Sequence, residues 1–336
     1  MVGKQRRSPF PDEANFRANK ELELIHGDLC GPINPATPAG NKYFLLLVDD
    51  FSRYMWIQLI QTKDKALVAF MEVNEVIEVE ENTKVKGFRT DRGGEFRSSE
   101  FDEYCKLKGI KRFLTAPYSP QQNGVVERRN QTILGMARSM MKSKEIPSEF
   151  WGEAVTTVVY ILNRAPTKSL EGITPYEAWN NRKPKVNHFR VFGSLVHVKV
   201  TNPHQSKLED RSALMVFFGY EKGSKAYRVY NPNTKRVHVT RDAVFEEEKK
   251  WDWRIEEDEQ NIQTSAGFSV DQGAYSELET QYQLGENEMR QQGSASPNAA
   301  PEFVSNGTYD EFEDSEEESH GTPVRLRSLE EIYSET

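Results

Sequence analysis

The fold is decided by residues 43–60, YFLLLVDDFSRYMWIQLI. The first half of this stretch is a continuous apolar run, which is typical of a buried central strand. The letters DDFS that follow favour a turn, and the second half has the composition of another strand. Residues 21–29, ELELIHGDL, alternate apolar and polar side chains, as a half-buried strand does. The three segments together predict an antiparallel meander.

Helices and further strands follow this meander along the chain. Helical spacing predicts helices at 64–81, 125–143 and 148–164, and short strands are expected at 84–91 and 111–116. A further helix should begin near Ser98 or Ser99, which can cap it, and should end before Gly109. Alternating strands and helices of this kind predict an α/β fold, a mixed sheet with helices on its faces.

The rest of the chain divides into two regions of different composition. Residues 188–247 contain short strands separated by Gly, Asn and Pro, which predicts a small β-barrel. Residues 254–336 are rich in Ser, Gln, Gly and Glu, and we expect them to form a disordered acidic tail. With residues 21–183 as the α/β core and 1–20 as an extended basic lead-in, four segments are predicted.

The net charge of −8 averages two opposite electrostatic characters. Residues 1–245 hold 38 Lys and Arg against 28 Asp and Glu, a net of +10, while residues 246–336 hold 6 against 24, a net of −18. A basic body favours a polyanionic partner. No apolar run approaches the ~20 residues of a membrane span. The two cysteines, Cys30 and Cys105, form neither a disulfide framework nor a zinc-ligand spacing.

Three acidic residues occupy positions from which they could converge on one point. Asp28 ends the first predicted strand, Asp91 ends the fourth, and Glu127 lies in the first turn of a helix. Phosphoryl transfer on nucleic acid uses such carboxylates to hold two Mg²⁺ or Mn²⁺ ions. Each acid taken alone has an ordinary alternative, a solvated turn residue for the two aspartates and a helix N-terminal carboxylate for Glu127.

The motifs around these acids resemble the integrase core of copia-type long-terminal-repeat retrotransposons. In chain order they are HGDLCGP (26–32), DDFSRYMW (49–56), TDRGGEF (90–96) and YSPQQNGVVERRN (118–130). The resemblance implies a ribonuclease H-like fold with a catalytic Asp, Asp and Glu, the last two separated by thirty-five residues, as Asp91 and Glu127 are. It covers about residues 8–253, including the small β-barrel that follows the core in these polyproteins.

From the resemblance we expect DNA integration, in which Mg²⁺-dependent processing of DNA 3′ ends is followed by strand transfer. The expected partners are element-end DNA, target DNA and further copies of the chain, without a membrane. The expected location is the nucleus at the point of action, after a cytoplasmic particle. Gln121, Asn123, Arg128 and Arg129 surround the start of the catalytic helix and are candidate DNA contacts. A solvated loop and helix face would explain these four residues equally well.

One feature departs from the family pattern. Family integrases carry a His/His/Cys/Cys zinc module just before the sequence Gly3-Lys4-Gln5, and residues 1–20 resemble only the end of that module. The chain is therefore expected to be a fragment of a larger polyprotein, and no zinc is expected in this fragment. An inactive or domesticated remnant that binds nucleic acid is an alternative function, and a plain nuclease of the same fold is another. The resemblance downstream of Glu127 favours an integrase over a ribonuclease.

Several polar residues near the triad leave their roles open. His26 lies two residues before Asp28, on the same strand face, so it could orient the site or be a satisfied, partly buried histidine. Asp49 and Asp50 are interpreted as turn residues at a strand end. Glu95 could reach the metal site, although a structural role or one close to the phosphate is favoured.

Overall fold

A computed structural model describes residues 17–115, 123–199, 212–253 and 269–270. The chain divides into two compact units, 1–276 and 277–336, and every described residue belongs to the first. Most of the predicted lead-in and acidic tail therefore lies outside the described residues. Ser269–Val270, within the stretch predicted to be disordered, forms a short strand, and at these two residues the structure differs from that expectation.

The first sheet has five strands in the spatial order β4-β3-β1-β5-β6. Strands β1, β3 and β4 pair in antiparallel fashion, which confirms the predicted meander, while β5 and β6 run parallel to β1 and to each other. The mixed α/β sheet is therefore confirmed. The strands of this sheet are β1 (Ile25–Cys30), β3 (Tyr43–Asp49), β4 (Met55–Ile60), β5 (Gly87–Thr90) and β6 (Lys111–Leu114).

Helices cover both faces of this sheet because alternate strand residues point to opposite sides. On one face, the side chains of Phe44 and Leu46 share a core with those of Val126 and Val155. On the other face, Phe88 packs with residues of the remaining two long helices. The helices are α1 (Ala66–Glu81), α2 (Ser99–Lys108), α3 (Gly124–Ser143) and α4 (Trp151–Asn163), with a short α5 (Pro175–Asn180) after them.

The ends of α2 are those that the sequence predicts. The Ser98 side chain accepts a hydrogen bond from the Phe101 backbone N–H at 3.2 Å, and Gly109 ends the helix with φ of 74°. Helix α5 was not predicted, although Thr174 and Glu177 form a capping box at its start. A strand of two residues, β2 (Ile33–Asn34), was also missed, and it pairs with β12 (Ser269–Val270).

The second sheet is antiparallel, with the order β10-β9-β8-β7-β11. Its strands are β7 (Ser194–Lys199), β8 (Ser212–Tyr220), β9 (Tyr227–Asn231), β10 (Arg236–Thr240) and β11 (Ala243–Lys250). The sequence predicted one strand segment over 235–245, where the structure has β10 and the beginning of β11. Strand β8 lies against α4, since the Thr157 hydroxyl donates to the Phe218 carbonyl at 3.2 Å.

Two further properties of the described residues concern membrane-spanning helices and the cysteines. None of the described helices is long and apolar enough to cross a membrane. Cys30 and Cys105 are both free thiols in the protein core, and burial raises the pKa of each. The interpretation of both cysteines as core residues without a disulfide is therefore confirmed.

Candidate active site

Asp28 lies on β1 with its side chain turned toward helix α3. The residue is 6% exposed, and its carboxylate accepts a hydrogen bond of 2.6 Å from the Asn130 side-chain N–H group. The neighbouring Gly27 faces the opposite side of the sheet, where an added Cβ would lie 2.5 Å from the Phe88 ring. The strand can therefore pack this closely only with glycine beside Asp28.

Asp91 follows directly after β5, the parallel neighbour of β1. Two adjacent parallel strands bring their carboxyl ends to one edge of the sheet, which places Asp91 near Asp28. The Asp91 carboxylate accepts a hydrogen bond of 2.9 Å from the Gly93 backbone N–H. Glu95 folds back over this turn, since a Cβ at Gly93 would lie 2.6 Å from its carboxylate. The glycine turn thus fixes Asp91 and accommodates Glu95.

Glu127 occupies the first turn of α3 and is partly buried. Burial raises its pKa first, and the negative charges of Asp28 and Asp91 raise it further, to about 7, against the opposing charge of Arg128. Asn130, one turn further along α3, bonds to Asp28, which lies on the parallel neighbour of the strand that precedes Asp91. The structure thus brings the three predicted acids close enough to interact electrostatically.

The three carboxylates fit a hard divalent cation by their chemistry, since Mg²⁺ and Mn²⁺ prefer oxygen ligands. A bound cation would also relieve the repulsion that raises the pKa of Glu127. Within the described residues, however, no three His, Cys, Asp or Glu side chains stand in an arrangement that could hold a metal ion. The donor set is thus suitable, and the side chains would have to move closer together to share an ion.

Asn130 was missed by the sequence analysis. It is fully buried, and besides its bond to Asp28 it has a buried side-chain oxygen with no hydrogen-bond partner among the described residues. Its signal in the sequence is its spacing, because a residue three positions after Glu127 lies on the same side of the helix. Asn130 therefore orients Asp28 through this hydrogen bond.

The four predicted DNA contacts have different surroundings. Asn123 is fully buried and donates to the Gly27 carbonyl at 3.3 Å, so it ties the start of α3 to β1. Arg128 is exposed, while Arg129 is partly buried and donates to the Thr167 hydroxyl at 2.8 Å. Gln121 lies outside the described residues. Contact between these side chains and DNA stays a prediction.

His26 is a buried histidine whose ring contacts Asp50. Its Nε2 lies 2.9 Å from the Asp50 carboxylate, and burial lowers its pKa although Asp50 opposes this. Burial would raise the pKa of Asp50, yet the hydrogen bonds from His26 and from the Ala18 N–H, with the charge of Arg53, lower it to about 2. Asp50 is therefore a buried anion that organises its neighbours.

Asp49 has the turn role that the sequence predicts. Its carboxylate accepts hydrogen bonds from the Ser52 N–H and hydroxyl, both at 2.7 Å, and from the Leu22 N–H at 2.9 Å. Burial raises the pKa of Asp49 against the effect of these bonds. This residue closes the turn between β3 and β4 and has no place at the triad.

Comparison with known protein families defines the class of this protein. Residues 18–120 match the integrase core domain, and residues 194–260 match the retroviral polymerase SH3-like domain. The first domain places the chain in the polynucleotidyl transferase superfamily, with a ribonuclease H-like fold. The second match confirms that the antiparallel sheet of strands β7 to β11 forms a small, barrel-like domain.

Curated relatives identify the chain more closely. The retrovirus-related Pol polyprotein from transposon TNT 1-94 of Nicotiana tabacum is 39% identical over 247 residues, which cover 74% of this chain and 18% of that protein. The Pol polyprotein from transposon RE1 of Arabidopsis thaliana is 28% identical over 248 residues, covering 74% and 17%. The chain thus spans less than a fifth of the length of these relatives. It has the integrase core and SH3-like domains and is similar to the retrovirus-related Pol polyproteins of plant transposons, as the copia-type motifs predict.

Two solved structures match this chain at low overall similarity. A chain of the simian T-cell lymphotropic virus intasome in complex with PP2A regulatory subunit B56 gamma matches 71% of this chain and 84% of its own length, with a TM-score of 0.43 and 14% identity. The HTLV-2 integrase catalytic core domain in complex with magnesium, in its trimeric form, matches 48% of this chain and 99% of its own, with a TM-score of 0.38 and 20% identity.

Proposed function

We propose that this chain is a retrotransposon integrase that trims the 3′ ends of its element DNA and joins them to target DNA. Asp28, Asp91 and Glu127 are its catalytic residues. One observation carries the proposal: Asp28 and Asp91 lie at the carboxyl ends of adjacent parallel strands, and helix α3, with Glu127 in its first turn, is tied to Asp28 through Asn130. The integrase core family match supports the same activity.

In this proposal the three carboxylates would hold two Mg²⁺ or Mn²⁺ ions. Such ions activate the attacking oxygen and stabilise the leaving oxygen in phosphoryl transfer. Asn130 keeps one Asp28 oxygen fixed through its 2.6 Å hydrogen bond, and the Gly93 N–H does the same for Asp91. The attack is made by water and then by a DNA hydroxyl, so no Ser, Cys or Tyr nucleophile is required.

The partners follow from the proposed reaction. Integration joins two element ends to one target, so we infer that the active form is a multimer bound to element-end and target DNA. Its proposed place of action is the nucleus, reached from a cytoplasmic particle. The basic character of residues 1–245, with a net charge of +10, supports a DNA partner.

A strand-transfer assay tests the proposal. Labelled terminal-repeat DNA is incubated with the chain and Mg²⁺ or Mn²⁺, and joined products are measured for the wild type, Asp91→Asn and Glu127→Gln. We expect joining by the wild type and a loss of at least about a hundredfold in either variant, because each removes a charge from the metal site. Glu103→Gln is the matched control, since Glu103 is an exposed acid on α2 of the same domain. Absence of joined product, or activity in both variants equal to the wild type, would refute the proposal.

A remnant that binds nucleic acid without catalysis is the second candidate. It is favoured by one observation, that the described acids do not stand in an arrangement ready to hold a metal ion. The two candidates differ in a measurable way. DNA binding by the wild type that is unchanged in Asp91→Asn, together with no cleavage or joining in either metal ion, would select the remnant.

A further inference from the structure

The outer edge of the first sheet carries no further strand in the described part of the chain. Strand β4 stands at one end of the order β4-β3-β1-β5-β6, so one side of its backbone faces away from β3. In an antiparallel pair, residues that bond to the neighbouring strand alternate with residues whose N–H and C=O groups point outward. An unpaired strand edge is a ready template for pairing with another chain.

Met55 shows which residues of β4 point outward. Its N–H donates to the Asn163 side-chain oxygen, and its C=O accepts from the Asn163 side-chain N–H, both at 2.9 Å. The buried amide thus makes the two bonds that an added strand would make at this residue. Because the alternation has a period of two, the backbone of Ile57 points the same way. Among the described residues, none outside the sheet bonds to the Ile57 N–H or C=O.

A groove lies along this edge, and Ile57 is in its floor. Helices α1 and α4 pack on opposite faces of the sheet and form its two walls, and the turn between β8 and β9 adds to the α4 wall. The cavity measures about 800 Å³, within the ~300–1,000 Å³ of ligand-binding pockets. Val73 and Val76 of α1 supply apolar surface, and Val76 is 56% exposed. We call this the β4 groove.

The charges that line the β4 groove are mostly positive. Arg228 is balanced, since it pairs with Glu153 at 2.9 Å and with Glu221 at 3.3 Å. The remaining acids, Glu72 and Glu80, lie on the α1 wall. A surplus of cations favours an anionic ligand. The exposed cations of the groove that form no ion pair within the described residues are Arg182, Lys183, Lys185, Lys222 and Lys225.

An extended acidic peptide fits this combination better than a nucleic acid does. The Ile57 N–H and C=O need a partner that both accepts and donates, as a peptide backbone does, whereas a phosphodiester only accepts. Phosphates in the groove would also be repelled by Glu72 and Glu80. An extended peptide directs alternate side chains to opposite walls. Acidic side chains would then face the cations, and apolar ones would face Val73 and Val76.

We propose that the β4 groove docks an acidic, extended peptide segment of a partner protein, which joins the first sheet as a strand beside β4. Backbone hydrogen bonds to Ile57 supply affinity, and the alternate side chains supply specificity. The added strand ends at Asn163, because this residue already occupies the outward groups of Met55. The groove lies two strands away from β1, which carries Asp28, so the inference does not depend on the proposed reaction.

Binding of a synthetic peptide tests this site. A labelled peptide of about eight residues that alternates valine with glutamate is titrated with the full chain, and fluorescence anisotropy gives the binding constant. The same peptide with methylated backbone nitrogens should bind roughly tenfold more weakly, because it cannot donate to the Ile57 carbonyl. Hydrogen exchange at the Ile57 amide should slow by about tenfold in the complex, since that N–H becomes bonded.

Charge reversal in the β4 groove provides a second test. Lys222→Glu/Lys225→Glu should bind the peptide roughly tenfold more weakly near ~0.1 M salt, because two attractive charges become repulsive. Lys106→Glu/Lys142→Glu is the matched control, since both lysines are exposed cations on α2 and α3 and do not line the groove. The control should bind as the wild type does, and thermal unfolding of both variants checks that the fold is intact.

Three outcomes would overturn the inference. The first is a wild type that binds no peptide up to ~1 mM, or that binds the methylated peptide equally well. In the second, the groove variant binds a short DNA duplex more weakly but the peptide unchanged, so the groove serves nucleic acid. In the third, the wild type forms a dimer that the groove variant abolishes, so a second copy covers the groove. Peptide binding with the expected losses would support the site even where the wild type joins no DNA.

Discussion

Glu127 shows how the environment of one residue decides its chemistry. An exposed glutamate in the first turn of a helix is stabilised by the helix dipole. Here burial and the charges of Asp28 and Asp91 dominate instead and raise the pKa to about 7. The folded protein without a cation therefore holds a proton on this residue at pH values where the unfolded chain has released it, and this has a consequence for stability.

Glu127→Gln should stabilise the metal-free protein at alkaline pH. The folded pKa exceeds the ordinary value of 4.5, so the contribution of Glu127 to stability is fully present below pH 4.5 and is lost as the pH rises through about 7. The variant should therefore equal the wild type near pH 4.5 and exceed it at pH 8 by about 1 kcal/mol, a value discounted for solvent screening. Urea unfolding in EDTA at both pH values measures the difference.

Glu103→Gln is the control variant, because Glu103 is an exposed acid on α2 and is not one of the three triad residues. Addition of Mg²⁺ should raise the unfolding midpoint of the wild type more than that of Glu127→Gln, since the cation relieves the repulsion only where the charge is present. A variant that is less stable than the wild type at pH 8 would contradict the assigned repulsion.

Asn130 controls the orientation of Asp28 through one buried hydrogen bond. Asn130→Ala should lower metal-dependent activity roughly tenfold to a hundredfold, as loss of a residue that orients a metal ligand does. The cost in folding free energy should be about 1–3 kcal/mol, because a buried polar contact is removed. Mg²⁺ titrations of strand transfer, with Gln131→Ala as the exposed neighbouring control, measure the effect. A shift confined to stability, with the metal dependence unchanged, would rule out the orienting role.

The residues of the site differ in how well the sequence predicts them. Asp28, Asp91 and Glu127 were predictable because their type, order and spacing follow a known motif. Asn130 and Asp50 were not, because each acts through a partner distant in sequence. A hydrogen bond across 102 residues leaves no periodic signal that a pattern could detect.

At the scale of elements, the position of β1 depends on a glycine. A Cβ at Gly27 would meet the Phe88 ring at 2.5 Å and a Leu47 methyl at 3.2 Å. Phe88 stacks on Phe70 and Phe101, so its ring cannot move aside easily. Strand β1, which carries Asp28, can thus pack this closely against Phe88 of β5 only because residue 27 has no side chain.

Gly27→Ala should therefore destabilise the protein by about 1–3 kcal/mol, the usual range for an overpacked core. Strand β1 would have to move away from Phe88 to accommodate the added methyl group. Because this movement displaces Asp28, strand transfer should fall as well. Gly135→Ala provides the control, since a Cβ there meets nothing within 4 Å. Alanine in the interior of α3 should stabilise by roughly 0.5–1 kcal/mol. Equal denaturation midpoints for the two variants would contradict the packing argument.

Elements were predictable where local chemistry alone determines them. Ser98 and Gly109 cap α2 through bonds within a few residues, so its ends follow from the sequence. The division of 235–245 into two strands was not predicted, because both are strand-like in composition and they lie at opposite edges of the second sheet. Strand β2 was missed since its partner, β12, is more than 200 residues further along the chain.

At the scale of the described molecule, the two sheets share one apolar core through α4. Phe150, the residue immediately before α4, contacts Phe218, Tyr230 and Trp253, with ring centroids 4.7 Å, 4.8 Å and 5.7 Å away. The sequence predicted a core and a barrel as consecutive pieces, but the contact between them depends on a register shift in β8 near Phe218. Neither strand periodicity nor composition predicts such a shift.

Gly219 is the residue at which the SH3-like sheet meets α4, and its replacement tests whether the two sheets unfold together. It has φ of +127°, and an added Cβ would overlap the Thr157 hydroxyl. Gly219→Ala should cost about 1 kcal/mol for the backbone conformation and about 1–3 kcal/mol more for the overlap. Because the two sheets share one core, amide exchange should show the loss of protection in β1 as well as in β8.

Gly223→Ala separates the two contributions, because Gly223 also has a positive φ, of +71°, but a Cβ there meets nothing within 4 Å. This control should show only the backbone cost of about 1 kcal/mol. A Gly219→Ala variant that loses protection in β8 while β1 keeps that of the wild type would mean that the sheets unfold independently. The apolar contact through Phe150 would then hold the SH3-like sheet in place without coupling its stability to that of the triad.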